Sequence, residues 1–179
     1  VFFLPQSNLD LLHALPDYQE CEKGNAVLVS RSLHTAPETA GGAAVEASAQ
    51  DPDGAGVQEL QVLGAINLAA NTEYTLTMVI ENCLESPCEL MNEEIEEEDD
   101  EHQFFFAFTN DVFTSPAGNG NIDSASDPLN YNDADGNGNS IGLNTSWTTG
   151  SASSGTFTVQ LQHQPDVKTC LLYTSPSPR

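Results

Sequence analysis

The sequence predicts an all-β protein with an antiparallel, immunoglobulin-like β-sandwich. Three observations support this fold class. Apolar and polar residues alternate over short stretches, clusters of Gly, Asn, Asp, Ser and Pro separate these stretches, and the second half of the chain has no convincing helical pattern. The chain has 179 residues, which is enough for one domain with a modest core.

The chain divides into three parts. Residues 1–25 are an N-terminal segment of uncertain role, with weak helical spacing in "NLDLLHAL" that ends at Pro16. We expect a single sandwich domain over residues 26–169. Residues 170–179, "CLLYTSPSPR", resemble one reading frame of a common sequencing adapter, so we interpret them as an artefactual tail rather than a Ser/Pro-rich natural one. This interpretation implies that the C-terminal end of the sandwich is missing, and we expect the sandwich to be truncated at its N-terminal end as well.

Strands follow from the alternation, in chain order. The first are predicted over residues 25–33, "NAVLVSRSL", and 43–49. Alternation is strict in "YTLTMVI" and recurs in "HQFFFAF" and "GTFTVQLQH", with the shorter strand "TSWTTG" between the last two. The inward-facing rows are expected to be Tyr74, Leu76, Met78 and Ile80; His102, Phe104, Phe106 and Phe108; and Phe157, Val159, Leu161 and His163.

The charge of the chain limits its partners. Four Lys and Arg stand against 27 Asp and Glu, a formal net charge of −23, which argues against nucleic acid and anionic membrane surfaces as partners. The composition, poor in Lys and rich in Asp, Asn, Gly, Ser and Thr, is typical of extracellular and of salt-adapted proteins. No stretch is long and apolar enough for a transmembrane segment.

Two cysteines lie close together in "NCLESPC". We predict a disulfide between Cys83 and Cys88 around a Ser-Pro turn, which fits an oxidising compartment. A metal-binding thiolate pair is the alternative, but no other cysteine lies nearby in the sequence to complete such a site.

An acidic run leads directly into the phenylalanine strand: "EEIEEEDDEHQFFFAF", residues 93–108. It can be a solvated loop that protects an aggregation-prone strand. It can also hold a metal ion. If the strand of His102 extends backward, Glu96, Glu98 and Asp100 share its face, and an antiparallel neighbour would bring His163 to the same rim. The ligands predicted on this basis, for zinc, copper, nickel or calcium, are His102, His163, Glu98, Glu101, Glu96 and Asp100.

A second acidic pattern is "DADGNGN". Asp133, Asp135 and Asn137, with Gly138 at the sixth position, fit the first half of a calcium loop. The twelfth position is Asn144, where that loop needs a bidentate Glu, so a Gly-rich hairpin turn is the preferred interpretation. The segment "DPDG", residues 51–54, also combines acidic residues with a Gly, but it supports a calcium loop even less. No catalytic motif is recognisable, and we expect the protein not to be an enzyme.

Several segments occur together in a known order: "LAANTEYTLTMVIEN", "NEEIEEEDDEHQFFF", "YNDADGN", "IGLN" and "TTGSASSGTFTVQLQHQPD". Over roughly residues 57–167 the chain resembles a family of small extracytoplasmic proteins, many of them lipoproteins, from Gram-negative marine bacteria. Some members carry the label of type 1 periplasmic binding folds, which implies two α/β lobes. The short, β-rich pattern of this chain favours the sandwich instead. The resemblance implies that the acidic run with His102 and the segment ending at His163 are paired signature elements.

Together these observations predict an extracytoplasmic metal-binding protein, either periplasmic, anchored to the outer membrane or secreted. It would capture a metal ion for uptake, with an outer-membrane or surface protein as partner. The alternative is a structural or adhesion module whose acidic run is a solubilising loop.

Overall fold

The computed structural model describes residues 27–35, 44–52, 60–83, 86–163 and 168. The predicted N-terminal segment 1–25, the tail 170–179 and part of "DPDG" lie outside these residues. The elements of the described part, in chain order, are β1 (Val27–Thr35), β2 (Val45–Gln50), β3 (Gln61–Val62), β4 (Glu73–Asn82), β5 (Glu89–Leu90), α1 (Asn92–Glu97), β6 (His102–Phe108), β7 (Phe113–Ser115), β8 (Asn144–Thr149) and β9 (Phe157–His163).

The strands form two antiparallel sheets. The larger sheet has the order β3-β2-β1-β4-β8-β7, and β5 pairs with the end of β4. The second sheet consists of β6 and β9. The predicted all-β, antiparallel sandwich is confirmed, and the immunoglobulin-like detail stays a prediction.

The core lies between the two sheets. In β4 every second side chain from Tyr74 to Ile80 is buried, as the alternation predicts. Trp147 of β8 is 2 % exposed and packs against two rings of the second sheet. The centroid of its ring lies 5.5 Å from that of Phe106 and 5.1 Å from that of Phe157. Such edge-to-face contacts lock two aromatic faces together, so the sheets pack as the layers of one sandwich.

One edge of β6 is closed by the segment that contains Gly120 and Asn121. The Asn121 side chain, 1 % exposed, accepts the backbone N–H of Phe106 through Oδ1 at 3.0 Å. Its Nδ2 donates to the hydroxyl of Tyr131, which itself donates to the carbonyl of Phe104 at 2.6 Å. These bonds satisfy backbone groups that an edge strand leaves unpaired, and they fix β6 in place.

The acidic run does not extend β6 backward, so the condition under which Glu96, Glu98 and Asp100 would share a face with His102 is not met. Residues Asn92–Glu97 form the short helix α1 instead. A helix forms because Met91 and Ile95 are spaced one helical turn apart and both pack against the core. Ile95 is 3 % exposed. Asn92 fastens the helix to β4, since its Oδ1 accepts the N–H of Ile80 and its Nδ2 donates to the carbonyl of Met78, both at 2.8 Å.

Candidate metal centre

Two histidines meet at one rim of the sandwich, because β6 begins where β9 ends. In the antiparallel register of these strands, His102 pairs with His163. Their rings stack with centroids 4.6 Å apart and planes 15° from parallel. The alternating rows thus place both histidines together, as expected from the sequence if the two strands are neighbours.

Glu98 and Glu101 reach the histidines from the turn that joins α1 to β6. The N–H of Glu101 donates to the carbonyl of Glu98 at 2.9 Å and closes this turn. The same carbonyl accepts a hydrogen bond from Nδ1 of His102 at 3.1 Å, and the Glu98 carboxylate lies 4.0 Å from that nitrogen. From the other strand, Nε2 of His163 donates to Oε2 of Glu101 at 2.9 Å.

These bonds fix which ring nitrogen of each histidine carries a proton. A carbonyl or carboxylate oxygen only accepts, so Nδ1 of His102 and Nε2 of His163 are the donors. In the neutral ring the opposite nitrogen presents its lone pair. One nitrogen anchored to an oxygen and the other available for coordination is the arrangement found around metal-bound histidines.

Burial favours the neutral form of His102. The residue is 6 % exposed, and this burial lowers its pKa, although the hydrogen bond to the Glu98 carbonyl and the nearby carboxylates oppose the shift. Metal ions bind unprotonated imidazole, so His102 is ready to coordinate at neutral pH.

Glu98, His102 and His163 form a group with the chemistry of a metal site. One donor atom from each lies within 4.8 Å of the other two. Donors around tetrahedral zinc are about 3.4 Å apart, given metal–nitrogen distances of about 2.0–2.1 Å. Because the two rings are almost parallel, one must tilt to bring its lone pair toward a shared ion. Glu98 and His163 can adjust, since their side chains are 50 % and 21 % exposed.

The other predicted ligands lie outside this group. Glu96 is exposed on α1, where it lines a cavity of about 420 Å³ with Thr77 and Asn92. Asp100 is exposed in the turn. Their expected position depended on a strand through the acidic run, and the helix removes that alignment. Glu101 contacts His163 and is placed to orient that ring rather than to complete the three-residue group.

The "DADGNGN" segment is a hairpin turn whose carboxylates serve the backbone. Asp133 accepts the N–H groups of Gly142 and Asn144 at 2.8 and 2.9 Å. Asp135 accepts the N–H groups of Asn137 and Asn139 at 2.9 and 2.7 Å. The carboxylate oxygens of Asp133 and Asp135 therefore bind backbone N–H groups and do not surround a common cation. This arrangement supports a hairpin turn rather than a calcium loop.

The pKa of Asp135 reflects this environment. Its burial opposes ionisation, but the side-chain amide and N–H of Asn139, the N–H of Asn137 and the ammonium of Lys168 outweigh that effect and lower the pKa to about 2. Lys168 lies beside Asp135 with an N–O distance of 3.3 Å. Sequence reasoning missed Lys168, because a single lysine in "QPDVKTC" carries no motif or spacing that marks it.

Cys83 and Cys88 form the predicted disulfide, five positions apart. No helix among the described residues is long and apolar enough to cross a membrane. Comparison of the chain with protein-family models, curated proteins and solved structures gave no match.

Proposed function

We propose that the protein binds a divalent transition-metal ion through His102, His163 and Glu98. The observation that carries this proposal is the convergence of the three side chains within 4.8 Å at one rim of the sandwich. The two histidines come from different strands and the carboxylate from a third segment, so the group is a product of the fold. The buried, neutral imidazole of His102 supports the same conclusion.

The donor set favours zinc, copper or nickel over calcium. Two imidazole nitrogens and one carboxylate suit borderline transition metals. Calcium takes six to eight oxygen ligands, and the group offers too few. Three protein ligands leave a fourth position for water or for a group from a partner, as in zinc sites that keep an open position.

The biological role that we propose is extracytoplasmic metal capture, with delivery to an outer-membrane or surface protein for uptake. The net charge of −23 supports it, because a strongly acidic surface raises the local concentration of cations. The disulfide is consistent with an oxidising compartment. The open coordination position would allow a partner to take over the ion.

Calorimetric titration with zinc, copper, nickel and calcium tests the proposal. The full chain is compared with a His102→Gln/His163→Gln double variant, in which glutamine retains polarity at the buried position. Near-UV circular dichroism establishes that both proteins are folded. We expect micromolar or tighter binding of a transition metal that the double variant loses. Binding that is absent, or that is weak and equal in both proteins, would refute the metal site.

A structural or adhesion module is the second candidate, favoured by the outer face of α1. Glu93, Glu94, Glu96 and Glu97 are all exposed there. Such a face suits a basic protein partner. This candidate predicts that reversing the charge of Glu93 and Glu97 abolishes partner binding while metal titrations are absent or unchanged.

A further inference from the structure

Lys168 is a buried cation next to the turn that carries Glu98 and Glu101. The residue is 6 % exposed and its side chain is fully covered. Its ammonium donates to the backbone carbonyl of Asp99 and pairs with Oδ2 of Asp135, 3.3 Å away. Lys168 therefore joins the turn between α1 and β6 to the hairpin of residues 133–140.

The hairpin is a rigid anchor for this ammonium. Oδ1 of Asp135 accepts the N–H groups of Asn137 and Asn139, and Oδ2 accepts from the Asn139 side chain at 3.0 Å. A buried ammonium is costly unless it is paired and hydrogen-bonded, and Lys168 has both kinds of contact. These contacts hold the ammonium of Lys168 in one position, and its hydrogen bond then holds the carbonyl of Asp99.

The turn needs such a restraint because its residues repel one another. Five carboxylates follow in succession from Glu97 to Glu101, and a run of like charges tends toward extended, mobile conformations. The ammonium of Lys168 binds in the middle of this run, at the carbonyl of Asp99. The turn that it holds presents Glu98 to His102 and Glu101 to His163.

We infer that Lys168 is a positioning residue of the metal centre, which holds the turn of residues 98–101 so that its carboxylates face the two histidines. The inference rests on the proposed function. Lys168 does not contact the metal group itself, and it acts through the backbone of Asp99. Partners that orient metal ligands typically change metal affinity by about 10- to 100-fold when they are removed.

The test compares Lys168→Met with the wild-type full chain in zinc calorimetry and in cobalt(II) absorption, which reports the ligand geometry. Leu68→Ala is the matched control for lost stability. Leu68 is buried and precedes Ala69, whose N–H donates to the hydroxyl of Tyr74 near the start of β4, whereas α1 is fastened to Ile80 near the end of that strand. Lys168→Gln, a milder change, replaces the methionine variant if that variant does not fold.

We expect Lys168→Met to weaken zinc binding by about 10- to 100-fold and to alter the cobalt spectrum. Lys168→Gln should weaken zinc binding by at least about threefold, and Leu68→Ala should lower the melting temperature with the affinity and spectrum unchanged. If folded Lys168 variants bind as the wild type does, the inference is overturned and the metal site stands. If the wild type binds neither zinc nor cobalt, both the metal site and the role of Lys168 are overturned.

Discussion

Replacing Glu98 by glutamine should weaken metal binding far more than the same replacement at Glu96. Both changes remove one charge from the same acidic run, so general attraction of cations falls equally. Only Glu98 belongs to the group with His102 and His163. The pair of variants therefore separates coordination from the electrostatic effect of the acidic run.

The size of the effect follows from the position of the carboxylate. A donor oxygen of Glu98 lies within 4.8 Å of a donor nitrogen of each histidine, and the Glu98 side chain is 50 % exposed. Two unit charges about 4 Å apart, as for a carboxylate and a nearby ion, interact by about 1 kcal/mol in bulk water and about 4 kcal/mol near a protein surface. For a half-exposed carboxylate beside a bound ion we take about 2 kcal/mol, which is roughly a 30-fold increase in Kd.

Calorimetric zinc titrations of Glu98→Gln, Glu96→Gln and the wild type at about 0.15 M salt measure the difference, since salt at this concentration screens charges beyond about 8 Å. We expect about a 30-fold loss for Glu98→Gln and less than about a threefold loss for Glu96→Gln. Equal losses in the two variants would mean that zinc responds to the charge of the run, and the coordination argument would fail.

Three further predictions concern the fold. Because the pKa of Asp135 is lowered from 3.8 to about 2, its carboxylate stabilises the native state above about pH 4, and this contribution is lost as the pH falls toward 2. Asp135→Asn should flatten the pH dependence of unfolding in urea within that window, and an unchanged slope would contradict the assignment. Gly120→Ala should lower the free energy of unfolding by more than about 3 kcal/mol, because the new Cβ would lie 2.1 Å from the carbonyl oxygen of Phe106. Gly118 has a similar positive φ but open space around it, so Gly118→Ala should lower the free energy of unfolding by only about 1–2 kcal/mol. Similar urea midpoints for the two variants would refute this difference. Trp147→Ala should lower the free energy of unfolding by about 3–5 kcal/mol, and a loss below about 1 kcal/mol would mean that its ring does not bridge the sheets.

The strands and the pairing of the histidines could be predicted from the sequence because alternation is a local signal. A side chain at every second position must face the core, so the row from Tyr74 identifies its buried face. The row from Phe157 does so for Phe157 and Val159, whereas Leu161 and His163 are half-buried. The end positions of His102 and His163 in their rows then placed them at one rim, given antiparallel neighbours. The strand bounds differ from the predicted ones by about two residues, as expected at frayed ends.

The acidic turn could not be predicted in the same way, because its conformation depends on distant residues. The charge pattern alone suggested a strand or a loop. Ile95, one apolar residue among carboxylates, is buried against the core, and this burial favours the helix. The contacts of Lys168 with Asp99 and Asp135 join positions 69 and 33 residues away along the chain. No local pattern encodes such a pairing, so both Lys168 and the exclusion of Glu96 required the structure.

X-ray diffraction from crystals grown with zinc, recorded on both sides of the zinc absorption edge, shows directly whether an ion binds between His102, His163 and Glu98. We expect an anomalous peak about 2.0–2.1 Å from one ring nitrogen each of His102 and His163, with a Glu98 oxygen as third ligand. We also expect that the two rings no longer lie 15° from parallel. No peak at this rim, or peaks only beside exposed carboxylates of α1, would contradict the proposed metal site.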